Sequence, residues 1–405
     1  MRILVLSNLF PPEFVGGAEL LCAQVCTHLR DRGHDVTVLS SGEAAPSDRT
    51  PGLRVDRRLR LTRRFGTPAS AITPFDRWQT YRHNYRETRA LLALESFDVV
   101  FAWSQRRLSL GAARAASDAG ARLAFSYNDD AIAAYAPRPL QLRPRQVARR
   151  LLEQVLTPGD VLGASAAAPS TAISLHLKRG LASSGIDTRL TQVIYQAIEL
   201  DRFPCKANPG TVGSPVRLLY VGSLLPEKGV HTVIEAAHAL QVQARVPVQL
   251  RVVGDGIPAY EQRLRALGAT GTADVTFSGR VSHGEVPAIY RSHDVLLFAS
   301  NDREAFGLTQ LEAMASGTVV VSTAEGGHGE MMRDGRNCLT FRYADAAALT
   351  GALARLVAEP QLGPGLARRA RAQVARHFSF DRYISELEQF LQSATKESDE
   401  LRHSA

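Results

Sequence analysis

Residues 301–330 read NDREAFGLTQLEAMASGTVVVSTAEGGHGE, and this stretch decides the fold. Leu308 to Ala315 has apolar residues at helical spacing, with Gly307 ahead of it and Gly317 behind as a C-terminal stop. The β-branched run Thr318-Val319-Val320-Val321-Ser322 predicts a buried strand, and Gly326-Gly327 predicts a turn after it. Loop, short helix, buried strand and glycine turn build an anion-binding crevice of an α/β sheet, because a helix start offers unpaired N–H groups and partial positive charge. Two carboxylates, Glu304 and Glu312, stand before and inside the helix with seven residues between them. Ionised carboxylates accept hydrogen bonds, so the pair suits the hydroxyls of a sugar.

The same alternation runs outward from this stretch. Upstream, 216–222, 248–254, 275–278 and 295–299 predict strands, with helices over 229–240, 260–267 and 286–292. In the N-terminal half, 3–6, 36–39, 98–103, 122–126, 164–170 and 192–198 predict strands, with helices over 18–30, 81–95, 108–119 and 172–180. Residues 43–80 have little periodicity and include an expected exposed loop. Strand–helix repetition implies parallel sheets. A chain of 405 residues is long for one core, so two Rossmann-like α/β domains facing each other across a cleft are expected. The polar, proline-bearing segment 201–214 marks the boundary, which divides the chain into 1–200 and 201–378. A helix over 379–395 and a disordered polar tail over 396–405 complete it. The first loop, Ser7 to Gly17, lacks the G-x-G-x-x-G dinucleotide fingerprint, but Gly16 and Gly17 let a backbone come close to a phosphate or sugar.

The composition, 45% hydrophobic and 22% charged, is that of an ordinary soluble globular protein. No run of ~18 apolar residues predicts a membrane span, and MRILVLSNLFPP reads as a first strand rather than a signal peptide, so a cytoplasmic location is expected. The four cysteines form no metal-ligand spacing, and Cys22 and Cys26 share one helix face as buried thiols. The net charge of +8 is carried almost entirely by arginine. Arg54, Arg57, Arg58, Arg60, Arg63 and Arg64 form one cluster, and Arg138, Arg143, Arg145, Arg149 and Arg150 another. Such clusters suit a solvated face, or contact with an anionic acceptor or the anionic inner face of a membrane. Nucleic acid is not an expected partner, because no binding module or interleaved aromatic pattern accompanies them.

These residues resemble the retaining glycosyltransferases of family 4, which have the GT-B fold. Pro11-Pro12-Glu13-Phe14-Val15-Gly16-Gly17-Ala18-Glu19 resembles the family's glycine loop, and Gly222-Ser223-Leu224-Leu225-Pro226-Glu227-Lys228-Gly229 its diphosphate-binding turn. Val253-Gly254-Asp255-Gly256 and Val275 to Val281 resemble its nucleoside-side strands. Glu304-Ala305-Phe306-Gly307-Leu308 to Glu312 is similar to its E-x7-E signature, and His377 to Tyr383 to the start of the C-terminal helix that crosses back to the N-terminal domain.

The resemblance implies a hexose-type sugar moved from a nucleotide-diphosphate sugar, with UDP or GDP as carrier, to an acceptor hydroxyl with an α-linkage, in polysaccharide or glycolipid assembly. It implies Lys228 as the cation for the leaving diphosphate, Glu304 on the donor sugar, and Glu312 on the ribose. Arg280 and Val281 fall on the base side. Backbone amides at Gly16, Gly17, Gly222, Ser223, Ala305, Phe306, Gly307 and Leu308 complete donor binding, with no metal and no other cofactor. The partners are then a nucleotide sugar and a glycan or lipid-linked acceptor. Three departures stand out. Ser223 replaces the family's usual arginine, Gln196-Ala197-Ile198-Glu199 replaces an Asn-Gly-x-Asp turn, and Tyr127-Asn128-Asp129-Asp130 stands where a histidine is usual near the acceptor. Asn128, Asp129 and Asp130 are therefore the acceptor-binding candidates. Glycosylation of a soluble small molecule, or silent binding of a nucleotide sugar, is the alternative reading.

Overall fold

The computed structural model describes residues 1–42, 52–63, 72–103, 105–136 and 168–403, those from 396 onward by backbone alone. The chain divides into two compact units, Met1–Ile194 with Ile384–Ala405, and Tyr195–Tyr383. The boundaries expected after 200 and 378 therefore fall at Ile194 and Tyr383. The reason lies in the packing of 195–200. The Tyr195 hydroxyl donates to Glu330 Oε2 at 2.8 Å and its ring stacks on Phe306, while the Ile198 amide donates to the Phe378 carbonyl at 3.1 Å.

The first unit carries strands β1 (Arg2–Leu6), β2 (Asp35–Ser41), β3 (Arg54–Leu59), β4 (Val99–Ala102), β5 (Leu123–Tyr127), β6 (Ser170–Ala172) and β7 (Thr191–Val193). They form one all-parallel sheet in the order β3-β2-β1-β4-β5-β6-β7. Helices α1 (Gly17–Asp31), α2 (Pro74–Leu94), α3 (Gly111–Asp118) and α4 (Leu175–Ser183) connect them. The α1 face bearing Leu21, Cys22, Val25, Cys26 and Leu29 is buried, and both thiols are free, so these cysteines are core residues. β3 lies within 43–80, where the weak periodicity predicts no strand. Its sequence, RVDRRL, lacks an apolar run because it is the edge strand, where charge is tolerated and blocks further pairing. α2 begins at Pro74 rather than near 81: the Thr73 side chain accepts from the Asp76 amide and Asp76 returns a bond to Thr73, with proline in the first turn.

The second unit carries β8 (Val216–Val221), β9 (Val248–Val253), β10 (Asp274–Gly279), β11 (Val295–Phe298), β12 (Val319–Ser322) and β13 (Leu339–Thr340). The sheet is again parallel, in the order β10-β9-β8-β11-β12-β13. Helices α5 (Val230–Ala244), α6 (Pro258–Ala269), α7 (Val286–Ser292), α8 (Leu308–Ala315), α9 (Ala346–Ala358) and α10 (Leu362–His377) surround it. Leu218, Leu250, Val295, Leu297 and Val321 are fully or almost fully buried, as expected of strands with helices on both faces.

The last helix, α11 (Phe380–His403), continues through the residues expected to be a disordered tail. Lys396, Glu397, Glu400, Leu401 and Arg402 are good helix formers, so the polar composition does not stop it. From Ile384 onward the helix belongs to the first unit, where Glu388 meets Arg32 Nη1 at 3.0 Å and His34 Nε2 at 2.9 Å.

Both units are Rossmann-like, and each has a point where the strand order reverses: between β1 and β4 in the first, between β8 and β11 in the second. In open parallel sheets, ligands gather at the C-terminal strand ends at such points.

Candidate active site

In the second unit, two loops leave the C-terminal ends of β8 and β11 at the reversal point. The β8 loop carries Gly222, Ser223 and a single 3-10 turn, Pro226–Lys228. The β11 loop carries Ser300 to Gly307 and enters α8. The Asn301 amide donates to the Glu227 carbonyl at 3.0 Å, which ties the loops together. Gly229 lets the turn lie this close. Its φ is +65°, and a Cβ there would stand 2.3 Å from the Ala299 carbonyl oxygen. Gly326 does the same for the following turn, where a Cβ would meet the carbonyls of Asp302 at 2.6 Å and Glu304 at 2.8 Å.

This arrangement brings Lys228 and Glu304 together. Lys228 Nζ donates to Glu304 Oε2 at 2.6 Å, with side-chain exposures of 27% and 19%. Ser300 Oγ lies 3.4 Å from the same oxygen. An ammonium has three N–H donors, so one held by Glu304 leaves two for phosphate oxygens. Tyr220, buried on β8, donates its hydroxyl to the Ser223 carbonyl at 2.9 Å and shapes the turn. Burial, then the Glu304 charge, raise its ionisation well above the ordinary range, so it stays a donor.

Glu312 lies inside α8 and is 8% exposed. Its Oε2 accepts from the hydroxyl of Tyr290 on α7 at 2.8 Å. Burial pushes the carboxyl up to about 7, against the lowering effects of the Tyr290 bond and the Arg202 charge. Sequence reading missed Tyr290, which lies on a different helix, and no local pattern links it to Glu312. It also missed the support behind the Glu304 loop: Thr323 Oγ1 donates to the Ser300 carbonyl at 2.6 Å and meets His328 Nε2 at 3.0 Å.

The remaining candidates separate. The Phe306 side chain is 2% exposed and stacks on Tyr195, so only its backbone faces the loop. Gly307 and Leu308 stand at the start of α8, where the first amides have no partner inside the helix. Arg280 is held by Asp255 in an exposed pair at 3.1 Å, with Val281 beside it after β10. Ser223 is exposed and supplies no charge. Arg217 sits at the opposite strand end, paired with Asp294 at 3.3 Å, and so does not replace the missing cation.

Gly16 and Gly17 belong to the first unit, at the start of α1. The Gly16 amide is already donated to Glu19 Oε2 at 3.0 Å, so it is a helix cap rather than an open donor. Asn128 and Asp129 line a shallow recess at the ends of β4 and β5, together with Trp103, Gln105, Arg106 and Ile132. Asn128 Nδ2 donates to the Trp103 carbonyl at 2.9 Å, and Asp129 caps the 3-10 helix Asp130–Tyr135 through the Ala131 amide at 2.9 Å. Asp130 is exposed and outside the recess. Among the described residues no three His, Cys, Asp or Glu side chains converge as metal ligands, and no helix is long and apolar enough to cross a membrane.

Two family models match along the chain: Glycosyltransferase Family 4 over residues 15–202, and Glycosyl transferases group 1 over residues 205–374. Glycogen synthase of Mycobacterium tuberculosis is 28% identical over 400 residues, covering 94% of this chain and 92% of its own. Among solved structures, sucrose-phosphate synthase of Thermosynechococcus elongatus superposes with a TM-score of 0.72 at 21% identity, over 97% of this chain and 98% of its own. Anabaena HepE in complex with UDP and glucose superposes with a TM-score of 0.68 at 20% identity, over 97% and 100%. The likeness in fold to these structures, the paired models that between them span both units, and a relative matched along nearly its whole length agree: the chain belongs to the GT4-type glycosyltransferases of the GT-B fold.

Proposed function

We propose that the protein moves a hexose-type sugar from a nucleotide-diphosphate sugar to an acceptor hydroxyl with retention, giving an α-linkage. The observation that carries this reading is the Lys228–Glu304 pair at the β8/β11 reversal point. Lys228 gives its two remaining N–H donors to the diphosphate. Glu304 accepts from hydroxyls of the donor sugar, and Glu312 from the ribose. The start of α8 adds amide donors and dipole at the phosphate. The bond from the anomeric carbon to the diphosphate oxygen breaks, and its electron pair leaves with the diphosphate. The acceptor oxygen bonds to the same face of that carbon, and its proton passes to the departing phosphate oxygen. Charge accumulating on the leaving group is stabilised by donors already in place. Lys228 supplies this charge without a metal ion.

The UDP bound by Anabaena HepE makes UDP the first carrier to try. The glycogen synthase relative supports a glycan acceptor, in polysaccharide or glycolipid assembly. Docking at an anionic bilayer is the remaining part of the reading. Its Arg138–Arg150 cluster lies outside the described residues, and vesicle sedimentation at two salt concentrations tests it.

The decisive experiment is sugar transfer from a panel of nucleotide sugars, with the product anomer read by NMR. Transfer falls sharply in Lys228→Ala and Glu304→Ala. Unchanged rates in both variants would refute the assignment, and a β-linked product would refute retention.

A further inference from the structure

Tyr195, where the chain enters the second unit, reaches the supports of Glu304 on two sides. The first contact is made by its ring. Tyr195 stacks on Phe306, with centroids 6.0 Å apart and planes at 25°. Phe378 meets Tyr195 edge-on at 6.1 Å and lies 6.2 Å from Phe306, which completes a three-ring cluster. Backbone bonds hold the cluster together. The Ile198 amide donates to the Phe378 carbonyl and the Phe380 amide to the Ile198 carbonyl, each at 3.1 Å. The stretches near both ends of the unit are therefore stapled to each other, and their rings close on a side chain two residues beyond Glu304.

The second contact is made by the hydroxyl, which donates to Glu330 Oε2 at 2.8 Å. Burial, then that bond, push the Tyr195 ionisation up to about 12, so the group stays a donor near neutral pH. Glu330 closes the 3-10 turn Gly327–Glu330. At the other end of this turn the Gly327 amide donates to the Glu304 carbonyl at 2.9 Å. The turn is braced within itself. The Gly329 amide donates to the Gly326 carbonyl at 3.2 Å, and a Cβ on Gly329 would stand 2.0 Å from the Ala324 carbonyl oxygen. The placing of Glu330 is therefore passed through one tight turn to the Glu304 backbone. Tyr195 holds that backbone from both sides, by its ring through Phe306 and by its hydroxyl through the turn. The groups assigned to the nucleotide are anchored by other residues: the Lys228 turn by Tyr220 and Asn301, and Glu312 by Tyr290. Misplacement of a substrate-positioning group by about 1 Å is enough to weaken its action severely.

We infer that Tyr195 is a positioning residue for Glu304, one that sets affinity for the sugar of the donor and leaves affinity for its nucleotide unchanged. This rests on the proposed reading of Glu304 as the contact to the donor sugar. Removing the hydroxyl while keeping the ring preserves the stack on Phe306 and frees only the turn. Glu304 then loses one of its two supports, while Lys228 and Glu312 keep theirs.

The test is a double-variant cycle on the full chain, with Tyr195→Phe, Glu330→Ala and the two together. Each protein is titrated calorimetrically with uridine diphosphate and uridine diphosphate glucose, or with guanosine diphosphate and guanosine diphosphate mannose where the wild type selects guanosine. Each single change lowers affinity for the sugar nucleotide about five- to tenfold and alters that for the free diphosphate less than about twofold. The double variant loses no more than the worse single one, because both changes cut the same bond. A purely structural role would instead lower both affinities by one factor. That result, an unchanged sugar-nucleotide affinity in both single variants, or a double loss equal to the product of the single losses would overturn the assignment. A wild type that binds neither free diphosphate would overturn the donor reading and this inference with it. A wild type that binds one, with variants that bind both of its ligands equally well, would overturn this inference alone.

Discussion

Glu312→Gln offers a sharp test, because the buried carboxyl couples the stability of the second unit to pH. Burial takes this group from the ordinary 4.5 to about 7. Between those values the folded unit holds a proton that the unfolded chain has released. The stabilisation linked to that proton is complete below about 4.5 and is lost as pH rises through about 7. The interval between the two values corresponds to about 3 kcal/mol. A glutamine keeps the shape and an acceptor for the Tyr290 hydroxyl but carries no proton to lose. The variant should therefore match the wild type at pH 5 to within about 1 kcal/mol, the usual scale of one altered hydrogen bond. At pH 8 it should be the more stable by up to about 3 kcal/mol. Guanidinium unfolding followed from pH 5 to 8 reads this difference directly, provided the transition of the second unit is resolved from that of the first. Binding carries the opposite sign. If Glu312 accepts from the ribose hydroxyls as a carboxylate, wild-type affinity for a sugar nucleotide falls below about pH 7, while that of the variant is weaker and flat. Parallel stability profiles for the two proteins across this range would refute the reasoning.

Other consequences follow from the same geometry. Gly229→Ala places a side chain at φ +65° and 2.3 Å from the Ala299 carbonyl, so it destabilises by more than about 1 kcal/mol and pulls the Lys228 turn off the Glu304 loop. Thermal melting and nucleotide titration should record both effects. Leu391, fully buried on α11, should destabilise the first unit by about 2–5 kcal/mol when changed to alanine, read by chemical denaturation. If Lys228 carries the charge of the leaving diphosphate, sugar transfer persists in excess EDTA, and abolition by chelation would overturn that assignment.

Much of the second unit was legible in the sequence because its signals are local. The run Thr318 to Ser322, the glycines and the short apolar helix fix one another within thirty residues, and β12 and α8 lie where they were expected. The Lys228 turn was legible for the same reason. Long-range pairing was not. Tyr290 stands 22 residues from Glu312 in sequence, and only the packing of α7 on α8 brings its hydroxyl to the carboxylate. β3 was hidden because an edge strand of arginines has no apolar run, although the Thr73-Pro74-Phe75-Asp76 signature of the α2 start was readable. Charge misled in a related way. The arginine cluster at 54–63 is visible as a run, yet the fold pairs most of it internally. Arg54 meets Glu95, 41 residues away, and Arg63 meets Asp76.

The central claim is that the β8/β11 reversal point is a diphosphate crevice whose cation is Lys228. Calorimetric titration of uridine and guanosine diphosphates into the wild type and Lys228→Ala tests it most directly. The account predicts saturable binding of one nucleotide by the wild type. It also predicts a loss of about 1.5–3 kcal/mol in the variant, roughly ten- to a hundredfold in affinity, with the fold intact. Equal affinity in the two proteins, or no binding of either nucleotide to the wild type, would contradict it.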